Sequence, residues 1–433
     1  MITFATLFLG LTLGPQSISL IVSDQVSRVE IVIDGSSVAL LDGEPWLLEW
    51  DFGQSLLPHE LVAIATDRQG HELGQARQWL NLPRNKAEVA IVVEGDSEGQ
   101  HRSARLIWES LSGKEPRAAS ITFDDQPLAV TDLSSIPLPP HDPQELHFLR
   151  AELEFENNLT STAEFIFGGP HLGEISSELT AVPVFLEGRR KLPAVAELSG
   201  WFMARSGQPE VIAAEKGEAA ILVVRSFGSR ENLHRIRAEE MSKPLPGAMW
   251  RRTALFGSQG WSLKIIWPIS RLLVGKSIPF ELFAYSEPLP DESGSLVRWL
   301  TEMDPPPELE GNERLADAVA VAGVNAAAKS RRRIVVLILG DPETDASSLS
   351  PDRVQKYLQA LHVPLFVWST VPSGSPTHGW GPTMDVSSPA QLERAVKLLF
   401  GSLDRQRIIW LDGFRLPQDI GLSSRAEGVR IAQ

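Results

Sequence analysis

A six-residue apolar run at residues 334–339, Ile-Val-Val-Leu-Ile-Leu, predicts a strand buried on both faces of a parallel sheet. Ser350 and Pro351 then supply a helix N-cap and a proline at the first helical position. Apolar side chains recur behind them at helical spacing, at Val354, Tyr357, Leu358 and Leu361. A second apolar run at residues 363–369 follows. The pattern predicts a βαβ unit, and such units bind ligands at the carboxyl ends of their strands.

Strand and helix patterns alternate over the whole carboxyl half of the chain. Residues 219–224 form another continuous apolar strand, and helical spacing recurs at 296–303 and 315–322. Ser388 opens a further helix with the form of a capping box. Strand patterns at residues 407–411 and 429–432 are expected to close the sheet. We therefore predict a doubly wound α/β domain at residues 192–433.

The amino-terminal half has a different pattern, in which short strands alternate with turns rich in Gly, Asp and Pro. Between residues 29 and 82 this pattern is typical of a small antiparallel sandwich. It recurs roughly ninety residues later, which indicates a duplication. We predict two all-β immunoglobulin-like sandwiches in tandem, at residues 21–84 and 85–187, and we expect the strand pattern at 180–186 to belong to the second. The whole chain is then a multidomain protein.

Residues 2–13 form a short apolar stretch without charged side chains. Its length suits the hydrophobic region of a signal peptide better than a membrane span. We expect a secretory signal within residues 1–20, and a buried first strand or a misassigned start codon are the alternatives. No later apolar stretch approaches the length of a transmembrane helix.

Composition narrows the classes of function. The 433 residues include 40 basic and 55 acidic side chains, for a net charge of −15, so we expect no nucleic-acid partner. The short basic runs at 189–191 and 331–333 are expected to be solvated. Cysteine is absent, which excludes disulfides, thiolate nucleophiles and zinc knuckles and is compatible with an oxidising compartment.

Motifs of enzymes are missing from the sequence. The nine histidines are scattered, without the spacing that places two metal ligands on one helix. No glycine-rich phosphate loop or dinucleotide fingerprint opens a helix. The acidic loop of Asp341, Glu343 and Asp345 lacks the other positions of a calcium loop, and we expect it to be solvated. These observations favour a protein that is not an enzyme.

Three segments occur in an order that resembles a von Willebrand factor A-related domain of bacterial envelope proteins, over about residues 198–432. They are the strand and loop at 219–229, the segment Gly-Asn-Glu-Arg-Leu-Ala-Asp-Ala at 311–318, and the strand with its acidic loop at 337–345. The resemblance implies protein partners. It also implies a divalent cation held by an Asp-x-Ser-x-Ser loop, a threonine on a second loop and an aspartate on a third, with hard oxygen ligands that suit magnesium.

The chain departs from that ligand pattern. Arg225 stands at the position of the leading aspartate, Phe227 at that of the first serine and Glu313 at that of the threonine, whereas Ser229 and Asp341 match. We therefore expect no metal and no cofactor, and we take Arg225, Ser229, Glu313, Asp341 and Asp345 as candidates for a binding-loop surface. A sharper hypothesis is that Arg225 replaces the cation and pairs with Glu313 or Asp341. The alternative is that Arg225 points into solvent.

The sequence thus favours a non-enzymatic, extracytoplasmic protein that binds or assembles protein partners, without a membrane span. Two alternatives remain open. One is an adhesion module of the same architecture that depends on Mg²⁺ or Mn²⁺. The other is a hydrolase with its site at a domain junction, which two converging carboxylates with raised pKa would favour.

Overall fold

The computed structural model describes residues 2–433 except for a set of short segments. These segments are residues 9, 86, 96–100, 111–114, 125, 143–146, 157–158, 168–178, 189–191, 206, 243–259, 271–282, 287–288, 291–295, 307–308, 310, 329–330, 342–343 and 373–378. The basic run at 189–191 and Glu343 therefore lie outside the described residues. The chain divides into two compact units, one of residues 1–55 and 59–176 and the other of residues 56–58 and 177–433.

The first seven strands form an antiparallel sandwich. Sheets of order β1-β2-β5 and β4-β3-β6-β7 enclose a core that includes Ile18, Ile31 and Leu61. The strands are β1 (Ile2–Phe4), β2 (Pro15–Val22), β3 (Arg28–Ile33), β4 (Ser36–Leu41), β5 (Leu47–Asp51), β6 (His59–Thr66) and β7 (Glu72–Leu80).

The next seven strands repeat this architecture. Sheets of order β8-β9-β12 and β11-β10-β13-β14 again pair three strands with four. Burial alternates strictly along β13, as expected of a strand with one face in the core and one in solvent. The strands are β8 (Ala87–Gly95), β9 (His101–Ser110), β10 (Ala118–Phe123), β11 (Gln126–Pro127), β12 (Ile136–Pro137), β13 (His147–Glu154) and β14 (Thr160–Phe167). The identical strand order confirms the prediction of two immunoglobulin-like sandwiches.

The apolar segment at residues 2–13 belongs to the first sandwich. Its strand β1 pairs with β2 in the register Ile2↔Val22 to Phe4↔Leu20. Ile2, Phe4 and Phe8 are buried in the core. This arrangement is the buried first strand that the sequence left open beside a signal sequence.

The second unit contains a seven-stranded sheet. Its order is β20-β19-β18-β22-β23-β24, with β21 also paired to β19. Neighbours among β18, β19, β22, β23 and β24 are parallel, whereas β20 and β21 are antiparallel to β19. The strands are β18 (Ala219–Arg225), β19 (Trp261–Ser270), β20 (Phe283–Tyr285), β21 (Leu289–Pro290), β22 (Arg332–Leu339), β23 (Leu365–Ser369) and β24 (Met384–Asp385).

Helices cover both faces of this sheet. Alternate residues of β18, among them Ile221 and Val223, share one buried cluster with residues of α1, α2 and α5. The helix α3 contacts β18 and β22 but contributes nothing to that cluster, so it covers the other face together with α4. The helices are α1 (Arg230–Met241), α2 (Leu296–Glu302), α3 (Leu315–Ala327), α4 (Pro351–Ala360) and α5 (Pro389–Arg405). None of the described helices is long and apolar enough to cross a membrane.

A separate antiparallel sheet corrects two of the predicted assignments. Its order is β17-β25-β15-β27, formed by β15 (Leu179–Leu186), β17 (Val211–Glu215), β25 (Gln406–Asp412) and β27 (Val429–Ile431). β16 (Phe202–Met203) and β26 (Gly421–Leu422) form a two-stranded pair. The strand at 180–186 was assigned to the second sandwich and those at 407–411 and 429–432 to the α/β sheet. Both assignments are wrong, because an apolar run indicates burial but does not identify the partner strand.

Candidate functional site

The strand order of the mostly parallel sheet marks one candidate position for a ligand. From β18 the chain moves outward through β19 to β20, and it then returns to β22 on the other side of β18. The order therefore reverses between β18 and β22, and a doubly wound sheet binds ligands at the carboxyl ends of the strands where this reversal occurs. We call residues 226–229, 311–314, 340–341 and 344–350 the loop face, because they form the described loops at this point.

Glu313 joins two of these loops. Its side chain is buried, and its carboxylate accepts hydrogen bonds from Ser226 Oγ at 3.1 Å and from the Phe227 backbone N–H. Thr344 Oγ1 lies 3.5 Å from the same carboxylate. Burial raises the pKa of Glu313 above its usual value, and these hydrogen bonds only partly offset that effect. A protein carboxylate thus connects the first and second loops directly.

Asp345 and Asp317 fix the third loop to helix α3. Asp345 crosses from the loop after β22 to accept hydrogen bonds from Leu315 N at 2.9 Å and Ala316 N at 3.3 Å, which are free donors of the first helical turn. Asp317 is fully buried and accepts from Ser348 N and Leu349 N, both at 3.1 Å. Arg314 Nε donates to the same carboxylate at 2.7 Å.

The loops also meet through a backbone contact. A Cβ atom placed on Gly340 would lie 1.9 Å from Gly228 C and 2.0 Å from Ser229 N, so only glycine fits there. Ser229 is buried, and its hydroxyl donates to Ser226 O at 2.6 Å. Ser229 therefore stabilises its own turn rather than facing a ligand. Asp341, the next residue after Gly340, is exposed.

Arg225 has different partners from those predicted. Its guanidinium is buried and donates to Leu300 O at 3.2 Å and to Met303 O, and its Nη2 atom lies 3.8 Å from Asp304 Oδ1. Burial lowers the pKa of Arg225 to about 10, so it stays charged at neutral pH. The predicted pairing with Glu313 or Asp341 is wrong, and so is the solvent-facing alternative. Arg225 instead anchors the last turn of α2 and the residues that follow it.

The hydrogen bonds of the candidate residues determine how many of their oxygens are available to a cation. Of the five candidates, Glu313 and Asp345 each connect two loop segments by side-chain hydrogen bonds, and both use their oxygens on backbone or hydroxyl donors. Hard cations need several free oxygens at once. Within the part of the chain that the structure describes, no group of three or more histidine, aspartate or glutamate side chains could hold a metal ion.

Sequence reasoning missed three side chains that organise the α/β unit. Asp304 accepts from Arg230 Nε and lies near His234 Nε2, each at 3.1 Å. Arg332 and Arg333, expected to be solvated, are buried. Arg333 donates to Leu361 O at 3.0 Å and to Ala327 O at 3.3 Å, at the ends of α4 and α3. Arg332 and Arg333 stand at the start of a strand that lies between two helices, and this position was the feature from which their burial could have been predicted.

Comparison with known proteins identifies no family. The sequence matches no family model and no curated protein. Among solved structures, fibronectin(III)-like modules of Clostridium thermocellum CbhA share 19% identity over 18% of this chain and 93% of theirs, with a TM-score of 0.17. The central fibronectin-III array of RIM-binding protein shares 8% identity over 47% of this chain and 81% of its own, with a TM-score of 0.18.

A third solved structure matches over a similar share of this chain. Proximal thread matrix protein 1 from the mussel byssus shares 13% identity over 43% of this chain and 49% of its own, with a TM-score of 0.26. TM-scores this low carry no argument about function. The sandwich architecture therefore rests on the strand order and pairing described above.

Proposed function

We propose that the chain is a non-enzymatic protein that binds or assembles protein partners, and that its α/β unit is a von Willebrand A-like domain that needs no metal. The single observation that carries the proposal is the buried carboxylate of Glu313, which bonds Ser226 and Phe227 at the reversal point of the sheet. In the resembled family a cation connects these loops. Here a protein side chain supplies the connection.

The sheet supports the same proposal. Its outward path from a central β18, the return to β22 and the antiparallel β20 are compatible with a doubly wound domain of this type. With the loops fixed from within, recognition uses the outer surface of the loop face, where Asp341 and Thr344 are exposed. The two sandwiches would act as spacers or further binding modules, and the absence of cysteine suits an extracytoplasmic location.

Site-specific photo-crosslinking tests this proposal in cells that produce the full chain. The crosslinker p-benzoylphenylalanine replaces Asp341 on the loop face or, as a matched control, Glu218 next to the amino end of β18; both positions are exposed. We expect a discrete protein adduct from position 341, none from position 218, and no change when EDTA is added.

Two other outcomes separate the alternatives. An adduct at position 341 that disappears with EDTA and returns with Mg²⁺ or Mn²⁺ would establish the metal-dependent adhesion module instead. Absence of an adduct at position 341 would overturn protein recognition by the loop face.

A further inference from the structure

Strand β23 has a free edge along three of its five residues. On one side β23 pairs with β22 from Leu365 to Ser369. On the other side β24 pairs with Trp368 and Ser369 alone. Within the described part of the chain, no strand lies beside Leu365, Phe366 and Val367 on that side. An open strand edge of this kind is a template for pairing with another chain.

The backbone direction along β23 follows from hydrogen bonds at its two ends. Val335 N, on β22, donates to Pro364 O at 2.9 Å, and Thr370 N donates to Leu339 O at 3.0 Å, so Pro364 and Thr370 face β22. Successive residues of a strand direct their N–H and C=O groups to alternate sides. Leu365 and Val367 therefore direct their N–H groups toward the free edge.

A cleft runs beside this edge. It has a volume of about 570 Å³ and lies between β23, β24 and helix α5. Phe366, Trp368 and Met384 contribute apolar lining, and Leu398 of α5 is 48% exposed at the wall. Apolar side chains of an added strand could therefore be buried in the cleft while the backbone pairs with β23.

Arg394 gives the cleft a charge. It is exposed, projects from α5 among the lining residues, and has no carboxylate within ion-pair distance among the residues that the structure describes. Asp385, the acidic lining residue, already accepts hydrogen bonds from Ser387 N at 2.8 Å and Gln391 Nε2 at 2.9 Å. Neutral donors occupy the oxygens of Asp385, whereas the exposed guanidinium of Arg394 can pair with a carboxylate of a ligand.

We propose that this edge binds an extended, acidic segment of a partner protein by strand addition. The partner backbone pairs with Leu365 and Val367, its apolar side chains enter the cleft against Phe366 and Leu398, and an acidic side chain pairs with Arg394. The residues differ from those of the loop face, so this proposal does not depend on the one above.

The test uses fluorescein-labelled peptides and the full chain. One decapeptide, Val-Thr-Glu-Thr-Val-Thr-Glu-Thr-Val-Thr, places valine and glutamate on the same face of a strand, and its counterpart has lysine in place of glutamate, so the two have similar strand propensity and opposite charge. We expect fluorescence anisotropy to show binding of the glutamate peptide about tenfold tighter than that of the lysine peptide. Equal affinities, or no binding of the glutamate peptide, would overturn the proposal.

Three variants locate the binding to the edge. Arg394→Glu is expected to weaken binding of the glutamate peptide about tenfold and to reverse the charge preference. Val367→Pro removes one outward N–H donor but no donor to β22, and about a tenfold loss is expected. Lys397→Glu, on the same helix outside the cleft lining, is expected to change the affinity less than twofold, as a rough bound for an exposed charge.

Circular dichroism of each variant shows whether the fold is kept. If Val367→Pro does not fold, the comparison of Arg394→Glu with Lys397→Glu decides the question. Equal effects of these two charge reversals would indicate non-specific attraction to α5 and would overturn strand addition at this edge.

Discussion

Ser226 Oγ donates a hydrogen bond of 3.1 Å to Glu313 Oε2, and this bond joins two loops whose residues are 87 positions apart in the chain. The acceptor is a buried carboxylate with a raised pKa. Burial of a charge is unfavourable unless hydrogen bonds compensate, and here hydroxyl and backbone donors do so only in part. The loop face therefore depends on a titratable group at its centre, which makes its stability sensitive to pH.

Glu313→Gln should make unfolding less dependent on pH. Because the pKa of Glu313 is raised above its usual 4.5, the folded protein binds this proton more tightly than the unfolded chain. The free energy of unfolding of the wild type should thus fall as pH rises from the usual glutamate range through the raised pKa. Glutamine does not titrate, so the variant should gain stability relative to the wild type over that window.

Urea titrations at a series of pH values from 4 to 8, approximately the range where glutamates and their raised forms titrate, measure this difference. At the acid end both side chains are neutral, and we expect the two proteins to differ by about 1 kcal/mol or less. Glu197→Gln, at an exposed position, serves as the control. A constant difference between Glu313→Gln and wild type at all pH values would contradict the expected linkage.

Gly340→Ala should destabilise the α/β unit by about 3 kcal/mol or more, because the new methyl group would overlap the backbone of Gly228 and Ser229. Gly401→Ala is a matched control within α5, where an added Cβ meets no atom within 4 Å. Alanine is the better helix former, so the control should stabilise by about 0.5–1 kcal/mol. Thermal unfolding should show a lower melting temperature than wild type for Gly340→Ala and a higher one for Gly401→Ala. Equal effects would show that the loops do not touch as described.

Arg333→Met should destabilise the same unit by about 2–4 kcal/mol, because the carbonyls at the ends of α3 and α4 lose a charged donor. Burial lowers the pKa of Arg333 to about 10, so the lost group is a cation at neutral pH. Arg331→Met removes a half-buried neighbour that donates to Ser262 Oγ at 3.3 Å, and a loss of about 1 kcal/mol is expected. Similar losses in urea unfolding would contradict a special role for Arg333.

Local patterns predicted the elements of the α/β unit well. The apolar run at 334–339, the proline after Ser350 and the helical spacing behind it correspond to β22, α4 and their cap, where Ser350 Oγ accepts from Arg353 N at 3.4 Å. Such features are decided within a few residues. The repeat of the two sandwiches was equally visible, because turn residues and alternation set strand positions locally.

Long-range partners could not be predicted from the same patterns. A short run of arginines is expected to be solvated. Arg333 is nevertheless buried, because two helix ends in the folded chain present carbonyls to it. Arg225 was expected to pair with a neighbouring loop, but its guanidinium donates instead to the carbonyls of Leu300 in the last turn of α2 and of Met303 just after it. The placement of β15 beside β25 joins residues more than 220 positions apart, and no local pattern encodes that choice.

The repeat of the sandwiches extends to an aspartate–histidine contact. Asp34 Oδ2 lies 2.7 Å from His59 Nδ1 in the first sandwich, and Asp124 Oδ2 lies 2.8 Å from His147 Nδ1 in the second. In each sandwich the other carboxylate oxygen accepts from the backbone N–H after the histidine, Glu60 N at 2.9 Å or Phe148 N at 2.8 Å. Asp34 and Asp124 also share a positive φ, 51° and 47°. The contact joins equivalent turns and strands in both modules.

Asp124→Asn should therefore destabilise the second sandwich by about 1 kcal/mol, a value reduced by the partial exposure of the side chain. Burial raises the pKa of Asp124, but the hydrogen bonds from His147 and Phe148 N outweigh it and leave the pKa below 3.8. The carboxylate's contribution is thus present above the ordinary aspartate pKa and is lost as pH falls through the lowered one. The difference between wild type and variant should shrink as pH falls below about 3.8.

A double-mutant cycle with His147→Gln isolates the pair, and urea unfolding of the four proteins measures it. We expect a coupling of about 0.5–1 kcal/mol between the two positions. The equivalent cycle of Asp34→Asn with His59→Gln should give the same sign, whereas Glu152→Gln, on an exposed face of β13, should leave stability within about 0.5 kcal/mol of wild type. Zero coupling in both cycles would show that the repeated geometry contributes nothing beyond the turn itself.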